Sequence, residues 1–347
     1  MILAGMNIRI LILVIGLIQI SNDLQSQSSI EGIVIDVKTK EPLPGATVYL
    51  ANTTHGTSAV STGSFLLDQI EPGKYDLIVS MVGYKPFSRP LLVDQQVIKD
   101  LTVSLEEEVK QLDAIEITAK KNTNRADLGE FRKFFLGQTP NSYQCDIINL
   151  PDIFVYKDGP KLYATSRKPI VVENKALGYR IIYTLKEFLV DYHNNIIRMA
   201  GVPRFENLAP KNEKEQKKWI KERDRTYYGS MQHFIRSLKK RELKKNHFSI
   251  WDSHSVEANE ETLFKNSGNS EILYKGELSL VFNPESFYDP RKRGQESTLN
   301  FFGRKITIYD NGYYENYQDV LLLGYLGWSL NVAEMVPLGY QPTSPLK

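Results

Sequence analysis

GIVIDVKTKEPLPGATVYL, residues 32–50, sets two apolar runs on either side of a charged stretch and a Pro-Leu-Pro-Gly corner. Such a corner could be a catalytic loop, a ligand loop or the first bend of a small β-sandwich. Pro42 and Pro44 fix their backbone angles and withhold two amide donors, so the first run cannot simply continue as a paired strand. Gly45 permits a conformation closed to other residues, and Ala46 restarts the strand. Every residue of the corner is accounted for by a bend, and none is needed for chemistry.

The same rhythm continues along the chain. IEGIVIDV, ATVYLAN, SFLLDQI and KDLTVSL are short apolar runs, LIVSMVGYKPFSRPLLV supplies two more, and Gly/Pro turns separate them. Strands at roughly ten-residue spacing predict an all-β sandwich. Tyr75, Leu77 and Val79 alternate with polar neighbours, as a strand with one buried face requires. GTSAVSTGSF and EPGKY read as hairpin connections, each with a glycine near the bend.

With those residues in view, residues 30–119 resemble the carboxypeptidase-regulatory-like domain, a transthyretin-like sandwich of seven strands. GIVIDVKTKEPLPGATVYL, GSFLL, PGKYDLIVSMVGY and LDAIEITA carry the likeness, in the same order. One departure stands out. Such domains often place a Thr-Asp pair before the second glycine hairpin, where this chain has Ala59 and Val60, so an acid-dependent turn or ion contact there is not expected. The resemblance implies a fold and no reaction. It also implies the envelope of the Bacteroidetes, where such sandwiches lead exported proteins. In outer-membrane receptors the sandwich precedes a plug and a large barrel. Too few residues follow Ala119 to build that barrel at about ten residues per strand.

At 347 residues the chain is long enough for two domains. With 41% hydrophobic and 24% charged residues it has a globular composition, and a formal charge of +2 implies no polyanionic partner for the whole molecule. Ile8–Ile20 is an apolar run of signal-peptide length, shorter than a membrane span, and small polar residues follow it. Residues 1–26 are read as a signal peptide, and the protein as exported to the periplasm or outer-membrane surface. Cys145 is the only cysteine, which rules out an internal disulfide; amid alternating apolar residues it reads as a buried small hydrophobe.

Residues 120–127 read as a polar linker and 128–347 as a β-rich α+β domain, giving an all-β plus α+β chain. Apolar residues at 128, 131, 134 and 135 predict a short amphipathic helix. Asp158-Gly159 signals a hairpin, and a second hairpin turns near Asn194-Asn195. Arg180, Tyr183 and Lys186 on its first strand read as exposed or edge positions. From Lys211 to His247 the chain holds 13 Lys/Arg and 5 Asp/Glu, a local net charge of +8. Two helices are expected there: one capped by Asn212 and anchored by Trp219, the other capped by Ser230 and running through SMQHFIRSLKKRELKK, with its lysines on the polar side. Asp310-Asn311-Gly312 is a turn, and the apolar C-terminal stretch is expected to complete the second core. FRKFFLGQTPNSYQCDIINLPD, the RFENLAP to FIRSL stretch and VPLGYQP resemble exported Bacteroidetes proteins with the same sandwich-first layout, to which no reaction is assigned.

Few residues of the chain fall into patterns that carry chemistry. His254 and Glu257 match the His-x-x-Glu spacing of a zinc carboxypeptidase, but no histidine follows His254 to complete the site. No nucleophile elbow, phosphate loop, dinucleotide fingerprint or calcium loop occurs. No catalytic residue, metal or cofactor is therefore expected. The best candidate ligand site is Arg225, Tyr228, Ser230, His233 and Arg236, which bring donors and an aromatic face to a helix N-terminus, suited to an anionic or sugar ligand. The favoured function is a non-catalytic envelope binding or assembly module, whose partner is an envelope protein, a glycan or an anionic membrane surface. The alternative is a hydrolase of peptides or glycans with its site in the C-terminal domain. Nucleic acid is not expected: the chain is read as exported, and neither zinc-finger spacing nor a basic zipper accompanies the lysines. The oligomeric state is open.

Overall fold

The corner at Pro42–Gly45 is where the chain leaves one sheet for another. In the computed structural model, which describes residues 28–94, 97–108, 124–265, 267–268, 270–283, 295–329 and 331–344, seven strands make up the first unit. They are β1 (Ser28–Asp36), β2 (Thr47–Leu50), β3 (Gly56–Ser58), β4 (Ser64–Ile70), β5 (Gly73–Ser80), β6 (Phe87–Val93) and β7 (Ile98–Leu105). They form a three-stranded sheet in the order β4-β1-β7 and a four-stranded sheet in the order β3-β2-β5-β6. β1 runs antiparallel to β4 and parallel to β7. The expected apolar run at residues 8–20, the LDAIEITA stretch and residues 120–123 lie outside the described residues.

The bend itself is built from local hydrogen bonds. The Asp36 carboxylate accepts from the Lys38 and Thr39 amides at 2.7 and 2.8 Å, and these bonds hold its carboxyl below the usual range. Leu43 donates to the Val34 carbonyl at 2.9 Å and is buried, while Gly45 takes φ +80°. Between the sheets Ile30, Val34, Val48, Leu50, Phe65, Tyr75, Leu77, Val79 and Val103 fill the core.

Two connections differ from the sequence reading. GTSAVSTGSF and EPGKY are not hairpins, because among the described residues β4 pairs with β1 alone, while β3 and β5 belong to the other sheet. Glycine marks a change of direction without fixing which strand lies next to which. The hairpins of this unit are β2–β3 and β5–β6.

After the sandwich, α1 (Arg125–Leu136) is capped by Asn124, whose side chain accepts from the Asp127 amide at 2.9 Å. The helix therefore begins inside the stretch read as linker. Its Phe131, Phe135 and Leu136 are fully buried, each worth roughly 1.5–3 kcal/mol of burial. They cover a six-stranded sheet made of β8 (Cys145–Ile147), β9 (Ile153–Asp158), β10 (Lys161–Ser166), β11 (Ile170–Asn174), β12 (Tyr179–Asp191) and β13 (Ile196–Asn207). The hairpins at Asp158-Gly159 and Asn194-Asn195 are present. Arg180 and Lys186 are exposed, Lys186 at a bulge between Leu185 and Glu187. Tyr183 is not exposed: it is buried edge-on against Phe135, with ring centroids 5.2 Å apart, because α1 lies over that face of β12. Cys145 is buried and its thiol is pushed up to about 12, chiefly by desolvation.

Next come α2 (Glu213–Tyr227) and α3 (Met231–Lys239), then β14 (Phe248–Asp252), β15 (Glu257–Ala258), α4 (Glu260–Phe264), β16 (Glu271–Ile272), β17 (Lys275–Phe282), β18 (Gln295–Phe302), β19 (Ile306–Thr307), β20 (Val320–Gly324) and α5 (Tyr325–Ser329). Five of these strands form a sheet in the order β15-β14-β17-β18-β20, while β16 pairs with β19. α3 lays Met231, Phe234, Ile235 and Leu238 on the sheet. It stops at Lys239, and Arg241 takes φ +57°, so KKRELKK is a turn and not the end of a long helix. Two clusters of buried apolar side chains thus follow residue 128, one beneath each sheet, where the sequence suggested a single core. Among the described residues no helix is long and apolar enough to cross a membrane.

The sandwich is tied to both sheets. Its turn continues the edge of β13 through Asn52 N–H to the Pro203 carbonyl (2.7 Å) and Phe205 N–H to the Thr53 carbonyl (2.9 Å). Tyr49, Ala51 and Ile78, on the outer side of the four-stranded sheet, form a small cluster with Val202. On the other side Asn311 donates to the Lys74 carbonyl, the Tyr313 hydroxyl donates to Asp76 at 3.0 Å, and Lys74 pairs with Glu315 at 3.2 Å.

Candidate functional site

The five residues singled out from the sequence gather around the α2–α3 junction, and the surrounding structure explains how. Asn212 caps α2 by accepting from the Glu215 amide. Trp219 donates its indole N–H to the Lys175 carbonyl at 2.9 Å. Arg223 donates to the carbonyls of Leu177 and Gly178 and stacks over Tyr179, 3.9 Å from the ring centroid. Gly178, at φ +68°, lets the Trp219 ring close on the backbone; a Cβ there would meet the indole at 2.2 Å. The β11–β12 turn is therefore the seat of α2.

At the junction Ser230 caps α3, its Oγ accepting from the His233 amide at 3.3 Å. Nδ1 of His233 accepts from the Gly229 amide at 3.1 Å. The imidazole lies among Tyr227, Tyr228, Phe248 and Phe282, with centroids 4.9–5.6 Å away. Burial pushes its pKa down to about 3, against a hydrogen bond with Asn246 that pulls it up, so it is neutral at physiological pH. The Tyr228 hydroxyl donates to the Ser344 carbonyl at 2.5 Å. Arg236 is buried and donates to the Tyr340 carbonyl at 2.7 Å and to the Tyr227 hydroxyl at 3.3 Å. Arg225 is half-buried and pairs with Glu222 at 3.8 Å.

Tyr228, His233 and Arg236 thus face inward, toward aromatic rings and the C-terminal segment, while Ser230 serves as the helix cap. The arrangement works as a clamp, and its central acceptor was missed in the sequence. Asp224, buried on α2, accepts from the Tyr340 hydroxyl, the Thr343 amide and hydroxyl and the Ser344 amide. No local pattern marks an aspartate whose donors lie more than a hundred residues away.

The remaining candidates for chemistry are scattered. His254 is exposed on the β14–β15 turn beside Asp252. Among the described residues no group of three or more His, Cys, Asp or Glu side chains is placed to hold a metal ion. A solvent-open hollow at the start of α2 is lined by Asn212, Glu213, Lys214 and Lys217. The outer side of α2 carries the feature that composition only hinted at. Lys214, Lys217, Lys218 and Lys221 are all exposed and recur at helical spacing, opposite buried Trp219 and half-buried Arg223.

Residues 30–117 match the CarboxypepD_reg-like domain family. No curated protein matches the chain. Among solved structures, the group B streptococcus pilus 2b backbone protein is 18% identical, with 23% of this chain and 41% of that one covered at a TM-score of 0.21. The Streptococcal ancillary pilin is 17% identical over 24% of this chain and 30% of that one, at 0.20. The C-terminal domain of the shaft pilin spaA from Lactobacillus rhamnosus GG is 13% identical over 24% of this chain and 98% of that one, at 0.19. Each is a partial likeness, and nothing about this chain's activity follows from it.

Proposed function

We propose that the protein is an exported, non-catalytic binding or assembly module of the cell envelope, led by its CarboxypepD_reg-like sandwich. The observation that carries this reading is the commitment of the functional-looking polar groups to internal contacts. Ser230 caps a helix, and His233 is neutral inside an aromatic cage. Arg236 and Tyr228 bind the C-terminal segment, and Asp224 is surrounded by four donors from it. Such groups stiffen a scaffold and leave the outer surface to make contacts. The sandwich, hydrogen-bonded to the β13 edge and to the Asn311–Glu315 loop, is held in place by its neighbours.

Capture from solubilised envelope with the purified chain as bait tests this reading. A saturable protein, glycan or lipid component retained at low salt is expected. Retention of nothing, together with turnover of a peptide or glycan substrate that is lost on changing a single acidic side chain, would contradict it.

A further inference from the structure

The outer stripe of α2 has a composition that its structural role does not require. Lys214, Lys217, Lys218, Lys221 and Arg225 follow the i, i+3, i+4, i+7, i+11 series, and Lys211 stands just before the helix cap. Arg225 is half-buried and the five lysines are exposed. Glu213, Glu215 and Glu222 fall roughly 80–100° to either side of the stripe at 3.6 residues per turn. The side packed on the β11–β12 turn is occupied by Trp219 and Arg223, so the stripe faces away from the fold.

Neutralisation within the chain is slight. Lys217 reaches Glu213 at 3.8 Å, with both side chains almost fully exposed, and Arg225 reaches Glu222 at 3.8 Å. Lys218 donates to the amide oxygen of Gln144, which carries no charge. Among the described residues no carboxylate pairs with the ammonium of Lys211, Lys214 or Lys221, although the Glu215 carboxylate accepts from the Lys211 backbone amide at 2.6 Å. An exposed pair such as Lys217–Glu213 contributes little, so the cationic field of the lysines is largely uncompensated.

Tyr143 stands next to this field. It precedes the Gln144 that Lys218 touches, and at 75% relative exposure it is among the most exposed large apolar side chains of the molecule. A tyrosine with its ring in the open beside a row of lysines matches the boundary of a charged bilayer, where amphipathic rings sit at headgroup level.

Resting on the binding-module reading, we infer that the α2 stripe and Tyr143 form a docking surface for an anionic lipid bilayer. The stripe runs roughly 16 Å along a rigid helix, at 1.5 Å per residue. It presents separate ammonium groups with no forked arginine pocket for a defined anion, an arrangement suited to a flat layer of headgroups. Its contact is superficial, because the apolar side of α2 is spent inside the fold. Each lysine brought to an anionic surface adds roughly fivefold to partitioning, so the group acts together and weakens with salt.

The test is flotation of the full chain with vesicles of phosphatidylcholine alone and of phosphatidylcholine mixed with phosphatidylglycerol. The apolar run at residues 8–20 contributes to both, so the readout is the ratio between them. A ratio of roughly tenfold or more is expected, lost at high salt and lost in Lys214→Gln/Lys217→Gln/Lys218→Gln/Lys221→Gln. The same four positions changed to arginine should retain it. Tyr143→Ser should lower binding a fewfold while leaving the salt dependence in place. A ratio unaffected by the glutamine variant would overturn the inference. So would retention of the chain on soluble polygalacturonate without vesicle preference, which would assign the stripe to a polysaccharide. If vesicles show no preference while envelope capture persists, this inference falls and the binding-module reading stands.

Discussion

The Tyr340 hydroxyl donates to the Asp224 carboxylate at 2.6 Å, joining the C-terminal segment to the last turn of α2. Residues 331–344 reach this point along a path that touches the three large hydrophobic clusters. Asn174 donates to the Ala333 carbonyl at 3.0 Å, and Val332 and Ala333 enter the core beneath α1. Leu338 donates to the Asn52 carbonyl and packs on the sandwich, while Tyr340 packs on the core beneath α3. Burial, and after it the Asp224 carboxylate, pushes the Tyr340 phenol far above its ordinary range, which keeps it a donor. The segment is a strap across three sheets.

Removing the acceptor should therefore release the strap. Asp224→Ala leaves four donors, one on half-buried Tyr340 and three on exposed Thr343 and Ser344, without their buried carboxylate, at a cost of about 1–3 kcal/mol. The urea midpoint should fall, and amide exchange should accelerate in residues 338–344 before it does in β12 or β17. Unchanged exchange in the strap would contradict its dependence on Asp224.

His233 gives the fold an acid sensitivity of definite sign. Its folded pKa of about 3 lies below the unfolded value near 6.5, so acid favours the unfolded chain. The stability that comes from a neutral His233 is complete above about pH 6.5 and declines as pH falls toward 3, by up to about 1.4 kcal/mol per unit. Glu315, held low chiefly by the Tyr309 hydroxyl and then by Lys74, adds its own loss only below the ordinary glutamate range. Urea midpoints between pH 6.5 and 5 report His233 together with His55, whose pKa burial also lowers, so the share lost on substitution is what belongs to His233. His233→Gln should lower stability at neutral pH and flatten the slope in that window; an equal slope in both proteins would count against it.

Two glycines of the opening stretch should respond very differently to alanine. At Gly32 a Cβ would lie 2.1 Å from the Leu101 carbonyl oxygen and 2.7 Å from the Phe65 ring. Gly32→Ala should cost about 3 kcal/mol or prevent folding, since β4 and β7 flank β1 on both sides. Gly45 has φ +80° and open space around it. Gly45→Ala should cost only the left-handed penalty, about 1–2 kcal/mol. Thermal melts of the two variants side by side decide this.

The sandwich was legible because turn residues and alternating apolar positions are local signals. The apolar runs, the corner and the caps at Asn212 and Ser230 follow from neighbours in sequence, whereas the short strand Gly56–Ser58 read only as loop. What failed was longer in range. Ile78 breaks the alternation of β5 because the outer side of its sheet is covered by Val202. Tyr183 is buried by a helix some fifty residues earlier. The cluster at Arg225–Arg236 was found as a group, yet its partners come from the C-terminus, so the sequence could not show that most of its polar atoms turn inward. The lysine stripe was visible as composition, but its orientation depends on the side from which Trp219 and Arg223 anchor α2.

Hydrogen–deuterium exchange of the full chain with and without membrane fragments from its own envelope tests the central claim most directly. An outward-facing binding module that docks through the α2 stripe predicts protection confined to the neighbourhood of Tyr143 and to residues 211–225, with the His233 and Arg236 region unchanged. Protection centred on residues 228–236, or none anywhere, would contradict it.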